Sequence, residues 1–295
     1  MLSVLIPTFN YNSLTLVEVI QKQCIKARII FEIICQDDAS NSELNAENEM
    51  INSLPHCYFF TNSVNLGRGR NINSMASKAK YDYILLVDCD TLPAQEDFIQ
   101  NYINEIKKEK LVVFGGIIYQ VEKPKQKNLL RWVYGQNREA IPVERRRKKP
   151  YLSTLTSNIL LKKEVFLSNL FDENITNYGY EDVVFVKNLM LKCIPIQHIG
   201  NPTFHLNLET STVFMKKVRE SLESLRLISD LKLLNDDDNR ILKTYKVLKM
   251  LCLHQFISAL FTYNKSKLEK NLVSNNPKMF VLDLYKLGYF CQLFS

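Results

Sequence analysis

The apolar run at residues 83–87 (Tyr-Ile-Leu-Leu-Val) ends directly at Asp88-Cys89-Asp90. A run without polar alternation is typical of a strand that a parallel sheet buries on both faces. Two carboxylates cannot lie unpaired in such a core, so they must emerge at the carboxyl end of the strand. Open α/β sheets bind ligands at that edge, and two acids one residue apart can share a divalent cation. The sequence therefore predicts an α/β sheet with a ligand site after this strand.

Strand and helix patterns alternate over the first 120 residues. Strands are predicted at residues 3–7, 31–36, 57–61, 83–87 and 111–118, and helices at residues 13–27, 43–53 and 70–79. This alternation predicts a mainly parallel sheet with right-handed crossovers. Residues 121–150 have an irregular, basic pattern, and strands at 155–161 and 194–199 flank a helix at 182–191.

Helical spacing of apolar residues dominates from residue 211 onward. It covers residues 213–234, 239–263 and 277–290. We therefore expect a catalytic α/β domain over residues 1–210 and a helical extension over residues 211–295.

Composition and charge narrow the class of protein. Apolar residues make up 46% of the chain and charged residues 23%, as in soluble globular proteins. The amino terminus has no basic region or cleavage site, and seven scattered cysteines indicate reduced thiols, so we expect a cytoplasmic protein. The net charge of +7 indicates solvated surfaces or attraction to an anionic membrane or a phosphate-bearing substrate. No nucleic-acid-binding signature is present, so we expect no nucleic acid partner.

Six polar segments follow one another along the chain, most of them just after a predicted strand or just before a helix. They are Pro7-Thr8-Phe9-Asn10, Asp37-Asp38-Ala39-Ser40, Asn65-Leu66-Gly67-Arg68-Gly69-Arg70-Asn71, Asp88-Cys89-Asp90, Glu181-Asp182 and His205. This order resembles the inverting family 2 glycosyltransferases, which have the nucleotide-sugar-binding GT-A fold. The segment from Gly179 to Asp182 also resembles the motif shared by β-1,4-galactosyltransferases and bacterial chondroitin-type polymerases.

The resemblance implies a GT-A fold of the α/β class and a site for a UDP-sugar donor. Asp38, with Asp37 beside it, would bind the uracil or the ribose, although both acids can also simply cap the next helix. Arg70 would contact the nucleotide or a phosphate, the alternative being a solvated loop residue. The implied nucleotide-binding residues are Pro7, Thr8, Asn10, Asp37, Asp38, Asn65, Gly67, Arg70 and Asp88.

The resemblance also implies a Mn²⁺ or Mg²⁺ site. Asp90 would bind the ion directly, and Asp88 would reach the ion, a metal-bound water or the ribose. The cation would neutralise charge on the leaving diphosphate. A histidine would complete the metal shell, and His205 is the first candidate, with His198 as the competing one.

Inversion by a single displacement needs one carboxylate that removes the proton of the acceptor hydroxyl. The resemblance assigns this role to Asp182, which is predicted at a helix start. Glu181 would bind an acceptor hydroxyl. Trp132, the one tryptophan of the chain, would stack on a sugar ring, with core packing as an equal alternative.

The predicted function is a metal-dependent inverting glycosyltransferase, a hexosyltransferase that moves one sugar from a UDP-sugar to a glycan or lipid-linked acceptor. A role in bacterial surface polysaccharide synthesis is expected, in the cytoplasm or at the inner face of the membrane through peripheral association. The alternatives are a sugar-phosphate nucleotidyltransferase and a non-catalytic sugar-nucleotide-binding or membrane scaffold protein. The first would need a Gly-rich basic loop after strand one, where this chain has Pro7-Thr8-Phe9-Asn10. The second would predict the loss of one of the acids Asp88, Asp90 and Asp182.

Overall fold

The computed structural model describes residues 1–294 and places their strands in two sheets. The strands are β1 Leu2–Thr8, β2 Phe31–Asp37, β3 Cys57–Thr61, β4 Tyr83–Val87, β5 Thr91–Pro93, β6 Val112–Phe114, β7 Ile117–Ile118, β8 Asn158–Lys162, β9 Ile196–His198 and β10 Thr203–His205. The helices are α1 Leu14–Lys26, α2 Leu44–Asn48, α3 Arg68–Lys78, α4 Phe98–Ile106, α5 Leu129–Arg138, α6 Val143–Lys148, α7 Lys163–Leu167, α8 Glu181–Leu191, α9 Ser211–Asp230, α10 Arg240–Met250, α11 His254–Leu272 and α12 Met279–Gln292.

The larger sheet has the order β3-β2-β1-β4-β8-β6-β9. Its strands β3, β2, β1 and β4 are parallel neighbours, and β8 runs antiparallel between β4 and β6. The smaller sheet has the order β5-β10-β7. The predicted mixed, mainly parallel α/β sheet is therefore confirmed.

Both faces of the larger sheet are covered by apolar side chains. Along β4, Leu85 and Val87 pack into one core cluster, while Ile84 and Leu86 pack into the other. Successive side chains of a strand point to opposite faces, so a run with no polar residue must be buried on both. This burial explains why the polar residues of these strands lie at or beyond their ends.

The strand predicted over residues 111–118 is broken at Gly115-Gly116, and its halves, β6 and β7, belong to different sheets. Gly116 has φ +105°, a backbone conformation that suits glycine. A Cβ atom on Gly115 would lie 2.3 Å from the carbonyl oxygen of Asn201. The pair of glycines therefore lets the chain turn out of one sheet and into the other.

The described residues group into two compact units. The first contains Met1–Gln120, Arg138–Thr176 and Phe185–Asn207, and it includes both sheets. The second contains Val121–Asn137, Asn177–Val184 and Leu208 onward. The predicted division at residue 210 stays a prediction, and its last residue, 295, lies outside the described part of the chain.

Two further expectations about local structure were wrong. Residues 121–150 were expected to be irregular, but they contain α5 and α6. The helix expected over residues 239–263 is two helices, because the chain turns at Cys252, whose φ is +57°. Within residues 1–294, no helix combines the length and the apolar character needed to span a membrane.

Candidate active site

The carboxyl ends of β1, β2 and β4 lie side by side because these strands are adjacent and parallel. Thr8 at the end of β1 is in register with Asp37 at the end of β2. Asp88 follows the last residue of β4. One edge of the sheet therefore gathers the polar segments that follow three strands, as the pattern of strand ends predicts.

Asp37 is buried and organises the loop after β2. Its carboxylate accepts hydrogen bonds from the Ser40 N–H at 3.0 Å, from Asn45 Nδ2 at 3.0 Å and from the Ser40 hydroxyl. The Ser40 hydroxyl oxygen in turn accepts a hydrogen bond from the Asn10 N–H at 2.8 Å. Asp37 thus ties the loop after β2 to the loop after β1.

Asp38 is also buried and organises the loop before α3. It accepts hydrogen bonds from Asn62 Nδ2 at 2.9 Å and from the N–H groups of Leu66 and Gly67 at 2.8 Å. Asn65 Oδ1 accepts from the same Gly67 N–H at 3.0 Å. A carboxylate offers about four acceptor positions, so Asp38 retains capacity for one further donor.

Of the three nucleotide contacts predicted near the end of β1, two are buried and one is exposed. Pro7 and Thr8 are buried within the strand, and the Thr8 hydroxyl lies 2.8 Å from the Ser13 hydroxyl. The Thr8 carbonyl accepts a hydrogen bond from the Asp38 N–H at 2.9 Å. Asn10 is exposed, with φ +50°. Pro7 and Thr8 therefore shape the loop from within, and the Asn10 side chain faces the surface.

The two arginines at the start of α3 have separate environments. Arg70 donates hydrogen bonds from Nε and Nη2 to the Glu173 carbonyl, at 3.0 and 2.6 Å. Arg68 donates from Nη2 to Asp88 Oδ1 at 2.7 Å and from Nη1 to the Thr156 hydroxyl at 3.1 Å. Arg68 thus brings a guanidinium to Asp88, while Arg70 is tied to a backbone carbonyl. The predicted nucleotide contact of Arg70 stays a prediction.

Asp90 and His205 are brought together by the smaller sheet. Strand β10 is antiparallel to β5, with His205 in register with Thr91, the residue after Asp90. The Leu206 N–H donates to the Asp90 carbonyl at 2.9 Å. His205 Nε2 lies 3.5 Å from Asp90 Oδ2. A carboxylate and an imidazole that are 115 positions apart in the sequence are therefore neighbours in space.

These residues fit a divalent cation that has few protein ligands. Asp90 supplies a hard carboxylate oxygen and His205 an imidazole nitrogen, a pair that suits Mn²⁺. Asp88 is turned toward Arg68. No group of three His, Cys, Asp or Glu side chains in residues 1–294 is arranged to hold a metal. Asp90 and His205 are therefore the two candidate donors that the structure brings within 3.5 Å of each other at this point.

His198 has a different environment, inside the first unit. Its Nδ1 accepts from Arg146 Nη1 at 3.1 Å, and its Nε2 lies 3.1 Å from the Pro150 carbonyl. Burial, reinforced by the charge of Arg146, lowers the pKa of His198 to about 4. Both ring nitrogens already have protein partners, so the contacts favour His205 over His198 as the metal ligand.

The residues predicted to act on the acceptor lie in the second unit. Gly179 and Tyr180 have positive φ values of 105° and 66°, and a Cβ on Gly179 would lie 2.5 Å from Ser221 Cβ. Glu181 and Asp182 begin α8, as predicted for Asp182. Glu181 Oε2 accepts from the Gly179 N–H at 2.8 Å. The tight turn thus leads both carboxylates into the first turn of the helix.

Trp132 lies in α5, within the second unit. On the same helix, the Arg131 guanidinium lies 5.5 Å from the ring centre of Phe214. The Tyr134 ring lies 5.2 Å from the same ring. Aromatic and basic side chains therefore cluster on this helix, and the predicted sugar contact of Trp132 stays a prediction.

The family model described as glycosyl transferase family 2 matches residues 3–167, more than half of the chain. The chain belongs to glycosyl transferase family 2. As a member, it is an enzyme, a hexosyltransferase. Comparison with curated proteins gives no match.

Solved structures with the same fold are distant in sequence. Mannosyltransferase PcManGT from Pyrobaculum calidifontis, in complex with GDP-Man and Mn²⁺, is 11% identical, with a TM-score of 0.57 over 99% of this chain and 84% of that chain. Glucosyl-3-phosphoglycerate synthase from Mycobacterium tuberculosis, in complex with Mn²⁺, UDP and glucosyl-3-phosphoglycerate, is 15% identical, with a TM-score of 0.52 over 78% and 79%. TarS 1–349 from S. aureus, in complex with UDP-GlcNAc, is 16% identical, with a TM-score of 0.50 over 98% and 89%. The glycosyltransferase therefore has the predicted GT-A fold.

Two residues of the glycosyltransferase site were missed by sequence reasoning. Arg68 is one, since the sequence analysis chose its neighbour Arg70 as the nucleotide contact. Tyr11 is the other: burial and, to a lesser degree, the negative charge of Asp90 raise the pKa of its phenol. Its position two residues before the predicted helix start was the available signal. Cys89 packs against the apolar core.

Proposed function

We propose that this family 2 enzyme is a metal-dependent inverting glycosyltransferase that moves one sugar from a UDP-sugar to a glycan or lipid-linked acceptor. The observation that carries the proposal is the pairing of Asp90 with His205 at 3.5 Å, beside Asp88 and Arg68. The product would serve bacterial surface polysaccharide synthesis. We place the enzyme in the cytoplasm, at the inner face of the membrane when the acceptor is lipid-linked.

The proposed donor site begins with the nucleoside. The loops after β1 and β2 and the loop before α3 are bonded to one another through Asp37 and Asp38. The open acceptor position of Asp38 would take the uracil imide or a ribose hydroxyl, and the exposed Asn10 side chain would add a polar contact. Hydrogen bonds that already order these loops in the free protein lower the entropy lost on binding, so they favour binding of the nucleotide.

The diphosphate would lie next to the nucleoside, at Asp88 and Asp90. Asp90 and His205 would hold Mn²⁺, or Mg²⁺ in its place, and the bound cation would neutralise the charge of the leaving diphosphate. Arg68, already within 2.7 Å of Asp88, would keep the Asp88 carboxylate fixed near the ribose. Carboxylate, imidazole and guanidinium groups thus serve one task, which is to stabilise the departing UDP.

Asp182 is the proposed base. The amino end of α8 carries the positive end of the helix dipole, which favours an ionised carboxylate there. Asp182 would take the proton from the acceptor hydroxyl as that oxygen attacks the anomeric carbon, and the bond to UDP would break on the opposite face. Glu181 would bind an acceptor hydroxyl and Trp132 a sugar ring.

The proposal is tested with a panel of UDP-sugars, Mn²⁺ and a mixture of glycan acceptors, scored by UDP release. We expect turnover with one donor, and loss of turnover on addition of a chelator. Asp182→Asn should lower kcat by roughly 100- to 10,000-fold, the range for loss of a general base, while the Kd for UDP is unchanged.

The matched control is Asp230→Asn, at the carboxyl end of α9, which should keep full activity. Full activity of Asp182→Asn would refute the base assignment. Failure of any sugar nucleotide to bind would refute the proposed function as a whole.

A further inference from the structure

Large apolar side chains are exposed at the end of α10 and along the first half of α11. They form what we call the α10–α11 surface, defined by Val247, Met250, Leu251, Leu253, Phe256, Leu260 and Tyr263. Phe256, Leu260 and Tyr263 recur at spacings of four and three, so they share one face of α11. Their exposures are 64%, 48% and 89%. An exposed stripe of this size marks an interaction site rather than a solvated helix face.

This stripe is separate from the residues that hold the second unit together. The other face of α11 presents Phe261, which is buried and lies so close to α12 that a Cβ on Gly288 would be 2.6 Å from its side chain. The buried face of α10 presents Tyr245, whose ring lies edge-on to Phe290 at 5.3 Å. Each helix therefore packs one face into the core of the second unit and exposes further apolar side chains on another face.

The segment that carries the α10–α11 surface has basic side chains but no acidic ones. Residues 240–268 contain no Asp or Glu, and their basic residues are Arg240, Lys243, Lys246, Lys249, Lys265 and Lys267. Lys243 and Lys246 form ion pairs with Asp237 and Asp236 at 2.9 and 2.8 Å. Within residues 1–294, no ion pair is formed by Lys249, Lys265 or Lys267. Cations thus border the apolar stripe.

We infer that the α10–α11 surface docks on an anionic lipid bilayer, with Phe256, Leu260 and Tyr263 entering the interface between headgroups and acyl chains. Aromatic and aliphatic side chains bordered by lysines are the combination that binds anionic membranes. A second copy of this chain would bring a surface of the same positive sign against it, which Coulomb repulsion disfavours. This inference rests on the proposed function. It names the surface through which the enzyme would reach a lipid-linked acceptor at the membrane.

Vesicle flotation of the purified full chain tests the inference without donor or acceptor. We expect the protein to float with vesicles of phosphatidylcholine and phosphatidylglycerol, and to stay behind with vesicles of phosphatidylcholine alone. Added salt should weaken the binding, because it screens the attraction between the lysines and the lipid.

Three variants sharpen the test. Phe256→Ser/Leu260→Ser/Tyr263→Ser should lower the partition coefficient by roughly 100-fold, since three large apolar side chains no longer leave water. Lys249→Gln/Lys267→Gln should lower it by about tenfold. The control Ile30→Ser/Leu191→Ser/Val121→Ser changes residues that are 62%, 65% and 89% exposed elsewhere, and it should bind as the wild type does.

Unchanged flotation of the Phe256, Leu260 and Tyr263 variant, with circular dichroism showing that it is folded, would overturn the inference. So would equal binding to the two kinds of vesicle, or a wild type that ignores vesicles and instead dimerises through the stripe. UDP release with a water-soluble acceptor is measured in parallel. Because the two assays share no component but the protein, loss of vesicle binding and loss of transfer identify separate failures.

Discussion

His198 and His205 end two short strands, β9 and β10, within the first unit of the enzyme, but their environments are opposite in character. His198 is buried, with one ring nitrogen facing the Arg146 guanidinium and the other the Pro150 carbonyl. His205 lies against Asp90 in the smaller sheet, with its ring stacked on Tyr119 at 5.2 Å. Histidine is thus bonded into the core at the end of β9, whereas at the end of β10 it lies beside a carboxylate. The protein's own contacts therefore distinguish a histidine bonded within the core from one that lies beside a carboxylate.

The acids show the same contrast. Asp37 and Asp38 are buried and accept most of their hydrogen bonds from loop N–H and amide donors, so they hold the loops of the site in place. Asp88 and Asp90 are partly exposed and face an arginine and a histidine. Substitutions in the two environments should therefore have opposite consequences, with stability lost in the first and activity lost in the second.

The largest effect is expected from Asp90→Asn. The amide removes the charge that would hold the cation, so kcat/KM with Mn²⁺ should fall by roughly 1,000-fold, as for the loss of a main electrostatic contact to the leaving group. Calorimetry should show that Mn²⁺ binding with UDP is lost, while the free energy of unfolding changes by less than about 0.5 kcal/mol. Asp97→Asn, an exposed acid before α4, is the matched control. A variant that keeps its Mn²⁺ affinity would refute the metal site.

Arg146→Met is expected to have the next largest effect, but on the stability of the fold and not on metal binding. The Arg146 side chain is buried and donates to the carbonyls of Phe114, Gly115 and Ile199. Its loss leaves buried acceptors without donors, so urea unfolding should show a loss of about 3 kcal/mol or more. The exposed neighbour Arg145→Met should unfold as the wild type does. Equal stability of the two variants would show that the hydrogen bonds of Arg146 do not stabilise the fold.

The two histidines can be exchanged as each other's controls. His205→Ala should lower activity at limiting Mn²⁺ by roughly 10- to 100-fold, the range for weakening a metal site, with little change in the unfolding midpoint. His198→Ala should do the reverse: a lower midpoint and near-normal kcat in the folded protein. If both variants lost activity and kept stability, the contacts of His198 would have been misinterpreted.

The smallest effect is a dependence of stability on pH. Burial holds the pKa of His198 at about 4 in the folded protein, below its ordinary value of 6.5. The native state therefore binds fewer protons than the unfolded chain between these values, and this histidine destabilises the fold progressively as pH falls from 6.5 to 4. Urea titrations of wild type and His198→Gln should diverge in this window, by on the order of 2 kcal/mol at its lower end. Parallel curves would show that His198 is protonated in the folded protein.

Much of the site could be predicted from sequence because apolar runs end where polar residues must leave the core. The ends of β1, β2 and β4 and the start of α8 follow from this rule. The bend at Gly115-Gly116 could not be predicted, since it depends on the close approach of Asn201 and Tyr102 from distant segments. The sequence could not show that Arg68 rather than Arg70 lies beside Asp88, because both arginines lie in the first turn of the same helix.

The sequence by itself determined the α/β class, the edge of the sheet where acids collect, and the family. These features depend on local hydrophobic pattern and on residue order, which a linear chain displays directly. The tertiary structure alone decided which histidine faces Asp90 and which is saturated in the core. It also showed that the carboxylates of Asp37 and Asp38 accept hydrogen bonds from loop residues, and that α11 carries apolar side chains on two faces. Such assignments depend on distances between residues far apart in the chain, which hydrophobic pattern does not encode.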